Sequence, residues 1–114
     1  MTHRFLQWLL LSSASLLLRV RLFDQAQALY IHALNRQPDG TALCRVYVGL
    51  AHTEFHRAHF LNARHYAKLC LEQLAAGAVP EGDARAEQLV DRAIWYYENS
   101  AIEAQNLRGR SPLP

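Results

Sequence analysis

Glycine is scarce in this chain, five in 114 residues with none clustered, which excludes the glycine-rich loop that cradles a phosphate at the start of a helix. Cysteine is scarcer. Cys44 and Cys70 are the only two, and neither belongs to a CxxC pair. Both sit in apolar helical patterns and read as buried free thiols of a reducing compartment; a bridge between them would need Cα atoms within about 7 Å. Charge is thin as well: 19% of residues and a formal net charge of +2. No basic stripe interleaved with aromatics stands out, so the electrostatic footprint of a nucleic-acid binder is missing. There is no nucleophile elbow, and the serines of the SSAS run, Ser12, Ser13 and Ser15, lie in an apolar segment where a hydroxyl bonds back to its own helix. No catalytic residue, metal or cofactor is expected, and the chain reads as a non-enzyme.

Nor is there an apolar run long enough for a bilayer. The oiliest stretch, FLQWLLLSSASLLLRV from Phe5 to Val20, is bracketed by Arg4 and Arg19 and contains Gln7 and three serines. About fourteen residues fall short of the roughly twenty that a spanning helix needs. As a secretory leader it has a suitable length, and Ala26-Gln27-Ala28 imitates a cleavage site. However, Arg19, Arg21 and Asp24 would then occupy the region where short uncharged residues belong. The stretch therefore reads as the first helix of a water-soluble, cytoplasmic fold. A secreted or envelope protein with this segment cleaved is the alternative.

What is present is globular composition, 51% hydrophobic, and an internal repeat. Sliding the chain by 37 residues places Leu10 on Tyr47, Ala14 on Ala51, Phe23 on Phe60, Ala26 on Ala63 and Ala33 on Cys70. In each copy two small residues stand 12 apart, with an aromatic three residues before the second, the layout of two helices pressed together at small side chains. Leu22, Ala26, Leu29, Tyr30, Ala33 and Leu34 recur at helical spacing before the stop Pro38-Asp39-Gly40. Phe60, Ala63, Ala67 and Cys70 repeat the stripe before Gly77, Pro80 and Gly82. The other helices are expected from about Arg4 to Val20, Thr41 to His56 and Asp83 to Asn106, in a single domain of residues 1–106 with a flexible tail, 107–114.

The run Phe23, Ala26, Tyr30, Ala33 and Pro38 resembles the second helix of a tetratricopeptide repeat. Tyr47, Leu50, Ala51, Phe60, Ala63, Ala67 and Cys70 resemble a degenerate second copy. The resemblance covers residues 7 to 74. It departs from the family in its 37-residue spacing, which places about three extra residues around Pro38 to Thr41, and in having Arg21 and Ala58 where a turn glycine belongs. It implies an all-α fold of antiparallel helical hairpins stacked as a short solenoid, about two repeats plus a C-terminal helix. It also implies a concave binding groove lined by Trp8, Leu11, Ser15, Leu18, Arg45, Val48, His52 and Phe55. So apolar a lining favours one face of an amphipathic helix, and the family's lysine and asparagine clamp for acidic C-termini is replaced by Leu11, Ser15, Val48 and His52. Two repeats leave hydrophobic faces open, so the expected role is an adaptor or chaperone completed by a partner protein. In size and groove polarity the chain resembles the small bacterial tetratricopeptide chaperones of type III secretion. A self-assembling subunit whose groove is filled by a neighbouring copy is the second reading.

Two clusters remain. In HTEFHRAH, His52 and His56 stand one turn apart, but the motif is not HExxH and Glu54 faces away from the pair; ordinary surface histidines are expected, with adventitious metal or pH-sensitive partner binding as the lesser alternative and His59 in the inter-helix turn. Asp24 and Gln25 suggest a capped helix start. Trp95, Tyr96 and Tyr97 cannot share one helix face, so at least one should be exposed or engaged by a partner.

Overall fold

The computed structural model describes residues 2–38, 40–77 and 84–109. They form five helices and no strand: α1 (Thr2–Arg19), α2 (Phe23–Asn35), α3 (Gly40–His56), α4 (Phe60–Ala75) and α5 (Ala84–Gly109). Each helix packs on the next, and α1 also lies against α3 and α3 against α5. Among the described residues, α1 makes no close backbone approach to α4 or α5. The chain is thus layered along one direction, 59 Å long by 30 by 21 Å.

The 37-residue offset recurs in the backbone. At the end of α1 the Leu22 N–H donates to the Leu17 carbonyl (2.9 Å) and the Arg21 N–H to that of Leu18 (3.0 Å); at the end of α3 His59 donates to Glu54 (2.8 Å) and Ala58 to Phe55 (3.0 Å). This is the pattern of a helix closed by one left-handed residue. Arg21 (φ 63°) and Ala58 (φ 62°) supply that residue. Side chains with a Cβ cost about 1–2 kcal/mol in this conformation, so the backbone geometry here is held by the packing of the flanking helices rather than by the residues that adopt it.

Small side chains let the helices close. Ala14, Ala26, Ala33, Ala51, Ala63, Ala67 and Cys70 have no exposed surface. α3 is buried on two faces, with Val46 and Leu50 in a core shared with Leu11, Ala14, Leu18, Ala26, Tyr30 and Ala33. Its Cys44, Val48 and Ala51 meet Ala67, Cys70, Leu89, Ala93 and Tyr96. Gly49 is buried in α3 against the ring of Tyr30, in space that a side chain would have to share with it. Contacts pair Asp24 with Arg57, Gln27 with Glu54, and Tyr30 with Gly49, so α2 runs antiparallel to α3.

The helix bounds differ from expectation by one or two residues, except that α5 continues through Gly109, which makes residues 107–109 helix rather than tail. The break expected at Pro80 and Gly82, the turn residue Asp39 and the tail from 110 to 114 lie outside the described residues. Leu22 precedes α2 without a side-chain cap. Asp24 instead pairs with Arg57 at 3.3 Å. No described helix is long and apolar enough to cross a membrane.

Candidate functional site

The side-by-side placement of α1, α3 and α5 leaves a trough between them. One hollow, of about 260 Å³, is lined by Ser15, Leu18 and Arg19 of α1, Tyr30 of α2, Arg45, Val48, Gly49 and His52 of α3, and Leu89 and Arg92 of α5. A second, of about 640 Å³, is lined by Gln7, Trp8, Leu11 and Arg19, by Thr41, Ala42 and Arg45, and by Gln88, Leu89 and Arg92. Arg19, Arg45, Leu89 and Arg92 belong to both, so the two hollows form one trough with three guanidinium groups, each from a different helix, at its waist.

Seven of the residues expected in a groove therefore meet here: Trp8, Leu11, Ser15, Leu18, Arg45, Val48 and His52. The expected apolar character does not hold. Leu11, Leu18 and Val48 are buried, because α1 and α3 close over Ala26, Tyr30 and Ala33 on one side and α5 closes over Val48 on the other. They form the floor. The accessible rim is Arg19, Arg45 and Arg92 with Gln7, Trp8 and Gln88, and among the described residues no aspartate or glutamate lines either hollow. The ion pairs among the described residues, Arg57–Asp24 and His59–Glu54, leave these arginines aside.

Phe55 is the exception. One turn beyond His52, it packs edge-on against Phe60, Trp95 and Tyr96, with ring centroids 5.2 to 5.7 Å apart, and so belongs to the seam with α5. Of the three consecutive α5 aromatics, Tyr96 is buried, Trp95 is exposed and Tyr97 is intermediate.

Two groups in the trough are chemically tuned. His52 Nδ1 shares a 2.7 Å hydrogen bond with the Tyr96 hydroxyl. Burial, with His56 and then Arg92 nearby, pulls its pKa down to about 4. Burial raises the Tyr30 phenol, whose oxygen lies 3.5 Å from Ser15 Oγ. At neutral pH the trough thus offers hydroxyl donors, one neutral imidazole and permanent positive charge. Its chemistry is that of an anion-accepting surface over an apolar floor.

Sequence reading missed a second polar site. Glu54 is buried at the junction of three helices, where its carboxylate accepts from Gln27 of α2 (2.7 Å), from His59 Nδ1 in the following turn (2.8 Å) and from Asn62 of α4 (3.3 Å). Arg57 continues the network to Gln27 and Asp24. The available signal was the repeat itself, because Glu54 falls on Leu17 and a charge at an apolar register position needs partners. Among the described residues no three histidine, cysteine, aspartate or glutamate side chains stand together as a metal site. A further hollow, of about 380 Å³, lies between the α3–α4 turn and the end of α5, lined by residues such as Phe60, Leu61, Ala104 and Leu107.

No family model, curated protein or solved structure matches the chain.

Proposed function

We propose that this protein is a helical-repeat interaction module, an adaptor or chaperone of tetratricopeptide-like design, that holds a segment of a partner protein in the trough between α1, α3 and α5. The observation that carries the reading is the convergence of Arg19, Arg45 and Arg92 from three helices on one trough that no acidic side chain lines among the described residues. Guanidinium groups recognise carboxylates through paired, directional hydrogen bonds. The partner segment of best fit is an amphipathic helix with acidic side chains along its edges and a narrow apolar strip toward Leu89 and Trp8. This adds acidic edges to the amphipathic helix expected from the sequence.

Selection from a displayed library of amphipathic helical peptides tests the proposal. The wild-type protein should enrich acidic amphipathic sequences, and Arg45→Glu combined with Arg92→Glu should weaken the selected peptides at least tenfold. Failure to enrich acidic sequences, or binders indifferent to both charge reversals, would refute it.

A further inference from the structure

The smaller hollow of the trough has a polar floor that an acidic helix resting on the rim does not use. Tyr30 is 3% exposed, yet among the described residues its hydroxyl meets only Ser15 Oγ. At 3.5 Å that contact is longer than the ~2.5–3.0 Å of a well-formed O–H···O bond, so both hydroxyls keep the capacity to donate. A buried hydroxyl short of partners carries a desolvation cost that a bound acceptor removes. Burial raises the Tyr30 phenol, whereas the Ser15 contact, then Arg92, then Arg45 lower it; both guanidinium charges therefore bear on this hydroxyl. Arg19 lines the same hollow of about 260 Å³. Among the described residues no acidic side chain lines it or pairs with these three arginines.

We infer that this hollow is a binding site for a phosphoryl dianion, carried as a monoester or as the free ion, whose oxygens accept hydrogen bonds from the Tyr30 and Ser15 hydroxyls and from the guanidinium groups of Arg19, Arg45 and Arg92. The inference rests on the same arginine-lined trough as the proposed function and names the group that its smaller hollow takes. A carboxylate offers two coplanar oxygens and a single charge, which one guanidinium fork satisfies. Here the donors come from α1, α2, α3 and α5 and include three permanent positive charges. A phosphoryl group brings ~1.5–2 negative charges at neutral pH and three strong acceptor oxygens, so it matches both the number of donors and their spread in space. With its phenol raised, Tyr30 keeps its proton at neutral pH and donates it to such an oxygen.

Isothermal titration calorimetry of the full chain near neutral pH, with phenyl phosphate, inorganic phosphate and benzoate as probes, tests the site. Phenyl phosphate should bind one to one and at least tenfold tighter than benzoate. Tyr30→Phe keeps the ring that packs on Gly49 and removes only the hydroxyl, so it should weaken phenyl phosphate about fivefold or more with little change in melting temperature; Ser15→Ala provides a second variant. Arg45→Gln should weaken it at least tenfold, and Arg64→Gln, which lies on α4 against Tyr97, should leave it unchanged. Tighter binding of phenyl phosphate than of inorganic phosphate would support the site with an esterified phosphoryl group as occupant, and equal binding would support it with the free ion. No saturable binding of either phosphate, benzoate bound as tightly, or affinity indifferent to both hydroxyl variants would overturn the inference. The two readings fail separately. Acidic helices enriched by a protein that binds no phosphate would overturn this inference alone, and phosphate bound without enrichment of acidic helices would overturn only the proposed function.

Discussion

Replacing Gly49 by alanine should damage this protein although alanine is the better helix former. In an exposed helix the exchange gains about 0.8–1.0 kcal/mol. At Gly49 the added Cβ would fall 2.6 Å from Cε2 of Tyr30 and nearer still to Cζ and Cε1, inside the ring of a side chain that is itself buried. Either α2 and α3 separate or Tyr30 leaves its rotamer. Overpacking of this kind costs about 1–3 kcal/mol, and because the clash is with a rigid ring the upper end applies. After the propensity gain, a net loss of about 2 kcal/mol remains. At roughly 4 °C per kcal/mol for a domain of this size, the melting temperature should fall by about 8 °C. Urea unfolding followed by circular dichroism measures the loss, and a double-mutant cycle isolates its cause. In a Tyr30→Ala background the clash is gone, and Gly49→Ala should become neutral or stabilising by up to about 1 kcal/mol. A Gly49→Ala protein more stable than wild type, with Tyr30 intact, would refute the placement of α2 on α3.

Ala58→Gly should act in the opposite direction. It relieves a left-handed residue at φ 62° and should add roughly 0.5–1 kcal/mol, read as a higher urea midpoint; a loss of stability would mean that the turn at the end of α3 does not adopt this conformation. Stability should also fall in mild acid. The pKa of His52 in the fold, about 4, lies below the value near 6.5 of an unfolded imidazole, so the unfolded chain binds more protons between the two. The neutral-ring contribution is complete above about pH 6.5 and is lost as the pH falls toward 4. Discounted for the partial solvent access of the ring, the loss is about 1–2 kcal/mol. His52→Gln cannot titrate, and its unfolding free energy should change less than that of wild type between pH 7.5 and 4.5; equal changes would remove His52 as the source.

The helices and their register were legible because they rest on local pattern. Ala14, Ala26, Ala51 and Ala63 announce close helix pairs by size alone, and each is fully buried. The groove was legible as a set of residues but not as a surface. Helical spacing puts Leu11, Leu18 and Val48 on the side facing the trough, whereas how deeply they lie depends on the packing of α2 against Leu11 and Leu18 and of α5 against Val48, and no repeat supplied the register of α5. The arginines that give the trough its charge are Arg19, at the edge of an oily run, Arg45, already in the expected set, and Arg92, on the helix without a repeat partner; only the packing of three helices brings them together. Phe55 went to the α5 seam for the same reason. Glu54 was unreadable in isolation, since its partners Gln27 and Asn62 lie 27 residues before it and 8 after it. The exposed stripe of α1 shows the limit of composition: among the described residues only α2 and α3 pack closely on this oily helix.

The layered order of the helices also sets how the molecule comes apart. With α1 held, among the described residues, by α2 and α3 alone, its detachment breaks one end seam and leaves the Glu54 junction and the α3–α4–α5 core whole. Such partial openings are a low-energy route in chains built of successive neighbours, so amide protons of α1 should trade with solvent sooner than those of α3. The end that frays most easily would then be the one whose ordering a captured helix could reward.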